Sequence, residues 1–147
     1  MPGGFFYGVF FATPTQPDAA RMPPLRIVDS ITELVARDAG CLAVSGSHGG
    51  LSSARYALAA RPLLSIFNDA GIGKDGAGLA ALDFLQARGL AACTVSHASA
   101  RIGEAQSTMD DGIVNHLNGL ALALGVQAGQ QCLQVIEHLQ TQPRRPS

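Results

Sequence analysis

The sequence predicts an α/β domain, a compact three-layer sandwich with a mostly parallel sheet of Rossmann-like or flavodoxin-like type and helices on both faces. Three observations predict it. Short, continuously apolar runs recur at 41–45, 63–67 and 90–96, and each leads into a polar turn and then a stretch of helix formers. None of the three alternates apolar with polar residues, as strands do when both faces are covered in a parallel sheet. The length of 147 residues fits one domain.

Taken in order, residues 1–22 form an N-terminal extension and 23–147 the domain. Phe5, Phe6, Tyr7, Val9, Phe10 and Phe11 make an aromatic run, and Pro14 and Pro17 mark a linker behind it. No Lys or Arg precedes the run and no small-x-small cleavage site follows, so it reads as an added strand rather than a secretion signal. Ser30-Ile31-Thr32-Glu33 matches a capping box and predicts a helix over 30–38, closed at Gly40. The strand at 41–45 leads through Gly46 to a helix at 52–60. The strand at 63–67 leads through a glycine-rich turn at 68–76 to a helix at 77–88, closed by Gly89. The strand at 90–96 leads through a loop at 97–106 to a helix over 110–124, stopped by Gly125, with a last amphipathic helix at 131–140.

Composition narrows the function classes. Hydrophobic residues make up 47% and charged residues 14%, which excludes disorder. A net charge of -1 and a pI near 6.4 provide no basic field, so no nucleic-acid partner is expected. No apolar run approaches the ~20 residues that cross a bilayer, so no membrane partner is expected either. Cys41, Cys93 and Cys132 are an odd number in apolar settings without metal-type spacing, and read as reduced, buried thiols of a cytoplasmic protein. Sparse charge on a small domain implies a homo-oligomer.

Right-handed crossovers bring the loops after parallel strands to one edge of the sheet, where ligands bind. Those loops are Ser45-Gly46-Ser47-His48-Gly49-Gly50, Asn68-Asp69-Ala70-Gly71-Ile72-Gly73-Lys74-Asp75-Gly76 and Ser96-His97-Ala98-Ser99-Ala100-Arg101. They hold two of the four histidines and the sole lysine. His48, Asp69 and His97 end three different strands and form the catalytic candidate: an imidazole oriented by a carboxylate moves protons near neutral pH, with Ser45, Ser47 or Ser99 as nucleophile. Two His and a carboxylate also suit zinc or iron, but no H-x-x-x-H or H-E-x-x-H spacing occurs. Acid–base roles are therefore preferred, with no cofactor and a divalent metal as the second choice.

The remaining loop residues read as substrate-binding, and so do Ser45, Ser47 and Ser99. Gly49, Gly71 and Gly73 allow backbone N–H groups to face a carboxylate or phosphate, with Asn68, Lys74 and Arg101 beside them. Lys74 is the only lysine among ten basic residues, while Arg101 reads equally as an ion-pair partner of Asp75 or Glu104. Gly71 to Gly76 matches G-x-G-x-x-G, yet no acidic residue follows about 20 positions on and no Walker A box exists. His116, on the predicted 110–124 helix, approaches the same edge or is buried, and His138 reads as surface. The expected function is a small-molecule enzyme acting on an anionic metabolite by acid–base chemistry, of hydrolase or lyase/isomerase type. The alternative is a non-catalytic phosphate- or nucleotide-binding sensor or subunit.

Overall fold

A computed structural model describes residues 22–141, so the expected 1–22 extension lies, Met22 apart, outside the described residues. Five strands form one open sheet in chain order: β1 (Leu25–Val28), β2 (Leu42–His48), β3 (Leu64–Asn68), β4 (Ala91–Val95) and β5 (Val114–Leu117). The first four are parallel and β5 runs antiparallel to β4.

This order explains how both faces are covered. Crossovers from β1 to β4 all step the same way, so right-handed connections place their contents on one face. There α1 (Leu51–Ala60) and α2 (Ala80–Gln86) pack Ala54, Ala57, Leu82 and Leu85 on Ala43, Phe67 and Ala92. The other face is covered by the helices on either side of the antiparallel strand β5. On it α3 (Ala105–Asp111), α4 (Gly119–Ala123) and α5 (Cys132–Thr141) bring Met109, Ala121, Val135, Ile136 and Leu139 against Leu42, Val44, Ile66 and Val95. Neighbouring residues Ala43 and Val44 enter opposite cores, and each fully buried aliphatic contributes roughly 1.5–3 kcal/mol. The α/β sandwich expected from the apolar runs is the fold found.

Two expectations are corrected. The capping box at Ser30 forms, with Glu33 accepting from the Ser30 N–H at 3.0 Å, but 30–38 is not a helix. It makes two 3-10 turns, Ile31–Glu33 and Ala36–Asp38, because the Val35 N–H bonds the Asp38 carboxylate and leaves Leu34 and Val35 extended. Likewise 110–124 is not one helix. Gly112 closes α3, Ile113 and the residues after it extend as β5 along the open edge of β4, and Asn118 caps α4 by accepting from the Ala121 N–H. Strand pairing overrides helix propensity here. His116 therefore lies on β5, paired in register with Thr94 and half-buried.

Candidate functional site

The C-terminal ends of β2, β3 and β4 lie side by side, with His48 opposite Asn68 and Asn68 opposite Val95. His48, Asp69 and His97 thus share one sheet edge, and two strand spacings put His48 and His97 roughly 10 Å apart at the backbone.

Asp69 is the centre. Its carboxylate is 2% exposed, and Oδ1 accepts from the Gly71 N–H at 2.8 Å, the His97 N–H at 3.0 Å and the His97 Nδ1 at 3.0 Å. Its Oδ2 accepts from Asn115 Nδ2 at 2.6 Å. Burial raises a carboxyl's pKa, but these donors together outweigh it and hold Asp69 below its ordinary value. An ionised carboxylate only accepts, so the neutral His97 ring carries its proton on Nδ1 and leaves Nε2 as a bare lone pair. That ring is accessible: the His97 side chain is 58% exposed. A buried carboxylate holding an exposed imidazole in one tautomer is the arrangement of an oriented general base.

Asn115 is the residue that sequence reasoning missed. In register Thr94 faces His116 and Val95 faces Val114, so Asn115 is the extra residue of a β-bulge. The bulge aims its amide at Asp69, and Thr94 Oγ1 donates to Asn115 Oδ1 at 2.7 Å, fixing which end faces the carboxylate. Reading 113–118 as helix hid this. Gly112 and Asn118, bracketing a short run with Ile113 and Val114, are the signal that reveals it.

His48 is held the opposite way round. Its Nδ1 accepts from the Gly50 N–H at 3.1 Å, so the neutral ring carries its proton on Nε2. The two histidines at this edge offer complementary atoms, a lone pair on His97 and an N–H on His48. No family model, curated protein or solved structure matches the chain.

Beside His48 a cavity of about 490 Å³ is lined mostly by apolar groups, with His48, Leu51, Ala70, Ile72 and Ala77 in its wall; His97 and Asp69 do not line it. The His97 ring lies against Gly71, between the lining residues Ala70 and Ile72: a Cβ placed on Gly71 would stand 4.0 Å from Nε2. The wall is strained. Ala70 and Ile72 sit at φ of 53° and 70°, a region that a β-branched side chain rarely enters and that costs roughly 1–3 kcal/mol per residue. Ile72 N–H to Asp69 O at 2.7 Å and Gly78 N–H to Ile72 O at 2.6 Å hold the turn. Gly78 is obligatory, since a Cβ there would fall 2.0 Å from Asp69 O.

The other candidate residues have mostly structural partners. Ser45 Oγ is buried on Ile66 O, Ser47 Oγ accepts from the Ile31 N–H, and Ser99 Oγ donates to Ser96 O while accepting from the Ile113 N–H. The structure thus offers none of the three as a free nucleophile. Asn68 donates to Ala100 O and accepts from the Ala70 N–H, tying the second and third loops together. The N–H groups of Gly49, Gly71, Gly73 and Gly76 all bond within the protein, to Asn68 O, Asp69 Oδ1, Gly71 O and Gly73 O, so these four glycine amides do not face a ligand. Lys74 and Arg101 are exposed and do not line this cavity, and Arg101 stands 3.7 Å from Glu104. Among the described residues no three His, Cys, Asp or Glu side chains group as a metal site. The cysteines are far from reactive: burial pushes Cys41 up to about 11, Cys132 up to about 12 and Cys93 higher still. Among the described residues no helix is long and apolar enough to cross a membrane.

Proposed function

We propose that the protein is a small-molecule enzyme of acid–base type, of hydrolase or lyase/isomerase class, acting on an anionic metabolite. The observation that carries this reading is the 3.0 Å contact between His97 Nδ1 and a buried, fully hydrogen-bonded Asp69. His97 Nε2 takes a proton from the substrate or from a water beside it, and Asp69 stabilises the imidazolium that results. His48 Nε2–H donates to the substrate oxygen on which charge develops, and the apolar wall strengthens that bond by excluding water. With Ser45, Ser47 and Ser99 engaged elsewhere, the chemistry runs without a covalent serine intermediate.

The test is a panel of small carboxylates, phosphate esters and activated esters, first as ligands by thermal shift and then as substrates. Turnover of one class should persist after exhaustive chelation and fall in both His97→Gln and Asp69→Asn. Turnover unchanged in both variants would refute the assignment. Self-association belongs to the same proposal and rests on the sparse charge of a small domain; light scattering at micromolar concentration should show more than a monomer.

A further inference from the structure

Beside the apolar cavity lies a second one of about 220 Å³ with a different character, lined by Ser30, Thr32, Ser47, Ser52, Ser53 and Tyr56 together with Ile31 and His48. We infer that this hydroxyl-lined cavity is an oxyanion subsite holding the phosphate or carboxylate head of the substrate at the N-terminus of α1. The inference rests on the proposed acid–base function and adds where the substrate's charge sits.

Helix α1 has ten residues, and its N-cap is Gly50, which provides no side-chain cap. The first intrahelical bond runs from the Ala54 N–H to Gly50 O, so the N–H groups of Leu51, Ser52 and Ser53 precede it and need partners from outside the helix. No acidic side chain stands in that first turn. A helix start so arranged attracts a negative group.

The second observation is independent. Ser53 is 5% exposed, lines this cavity, and its hydroxyl makes no hydrogen bond to a described residue. It is not one of the fully enclosed unpartnered hydroxyls, Ser65 and Thr108, so it opens on the cavity, where water or a bound group meets it. Two carboxylates belong to the segment around Ser30 and Thr32, and neither lines the cavity: Glu33 is exposed and accepts from the Ser30 N–H, and Asp29 accepts from the Ala105 N–H.

Position then links charge to chemistry. His48 lines both cavities, so a ligand with its anionic head on Ser53 and its apolar body against Ala70 and Ile72 passes the His48 ring; His97 lines neither cavity, and its ring stands beside Gly71, the residue between Ala70 and Ile72. Lys74 and Arg101 are outside this path. The recognised class is therefore a short apolar acid or phosphate monoester, held by backbone dipoles and hydroxyls rather than by fixed cations.

The test titrates inorganic phosphate and, separately, acetate into the full chain, reading backbone amide shifts and melting temperature. Phosphate or acetate should move the Leu51, Ser52 and Ser53 amides first and raise the melting temperature, and the tighter of the two identifies the head group. Ser53→Ala should weaken that ion by about tenfold, the effect of one lost charge-assisted bond. Ser52→Glu, on an exposed position, should keep the fold, since a carboxylate favours a helix start, and should abolish binding. Asp69→Asn should leave the ion's affinity unchanged. No response to either ion at 50 mM would overturn the subsite, as would shifts centred on Lys74 or Arg101. If the ion binds as expected but Asp69→Asn retains full turnover, the acid–base reading fails and the subsite stands.

Discussion

Two asparagines three residues apart, one at each end of β5, show how differently the two edges of this sheet are built. Asn118 is buried at the edge where β4 begins, and its amide is saturated by backbone: Oδ1 accepts from the Ala92 and Ala121 N–H groups, and Nδ2 donates to Leu82 O and Leu90 O. Asn115 is half-buried at the edge where β4 ends, and its amide bonds two side chains, Thr94 and Asp69. The first joins α2, β4 and α4 and presents nothing to solvent. The second positions a carboxylate that in turn positions an exposed imidazole. The same residue type is a staple at one end and a positioning group at the other, and only the partners distinguish them.

The contrast can be broken most severely at the carboxylate. Asp69→Asn replaces an acceptor with an amide and removes the reason for His97 to keep its proton on Nδ1. Turnover should fall by roughly 10³–10⁴-fold with little change in KM, the scale expected when a base loses its tautomer. An equal loss in binding would show that Asp69 holds substrate instead. At the opposite edge, Asn118→Ala strands four buried backbone groups and should cost about 3 kcal/mol of stability, read by urea unfolding, with no change in the Asp69 and His97 contacts. Smaller again is Asn115→Ala. It should reduce turnover by about tenfold while costing about 1 kcal/mol or less, because a half-buried amide is readily replaced by water. If Asn115→Ala destabilises as much as Asn118→Ala, the two edges are not built differently.

The smallest effect is in acid. Asp69 is held below its ordinary value in the fold, so its contribution to stability is complete above the unfolded carboxyl range, near ~3.9, and is lost as pH falls through the lower folded value. Wild-type stability should therefore decline more steeply below pH ~4 than that of Asp69→Asn, and parallel curves would contradict the lowered value.

Much of this was legible in the residues. The apolar runs 41–45, 63–67 and 90–96 become β2, β3 and β4 because burial on both faces demands continuous hydrophobicity, and handed crossovers place His48, Asp69 and His97 at one edge. Strand β1 escaped notice because Leu25-Arg26-Ile27-Val28 is short and includes Arg26, whose guanidinium pairs with Asp38 at 2.6 Å. Strand β5 escaped because edge pairing, which is non-local, decided against helix. Glycine N–H groups in the loops were expected to face a ligand, yet a sequence does not reveal that Asp69 and neighbouring carbonyls take them first. The helix-start donors at 51–53 stood beside those glycines, and only the three-dimensional cavity shows which set remains open.

The central claim is that the fold holds two neutral histidines in opposite tautomers at one edge. It is measured directly by ¹⁵N-edited NMR of the imidazoles at about pH 8.5, where an unperturbed ring is neutral. His97 should show its proton on Nδ1 and His48 on Nε2, and in Asp69→Asn only His97 should change. His97 protonated on Nε2 in the wild type would mean that Asp69 does not orient it, and would contradict the account.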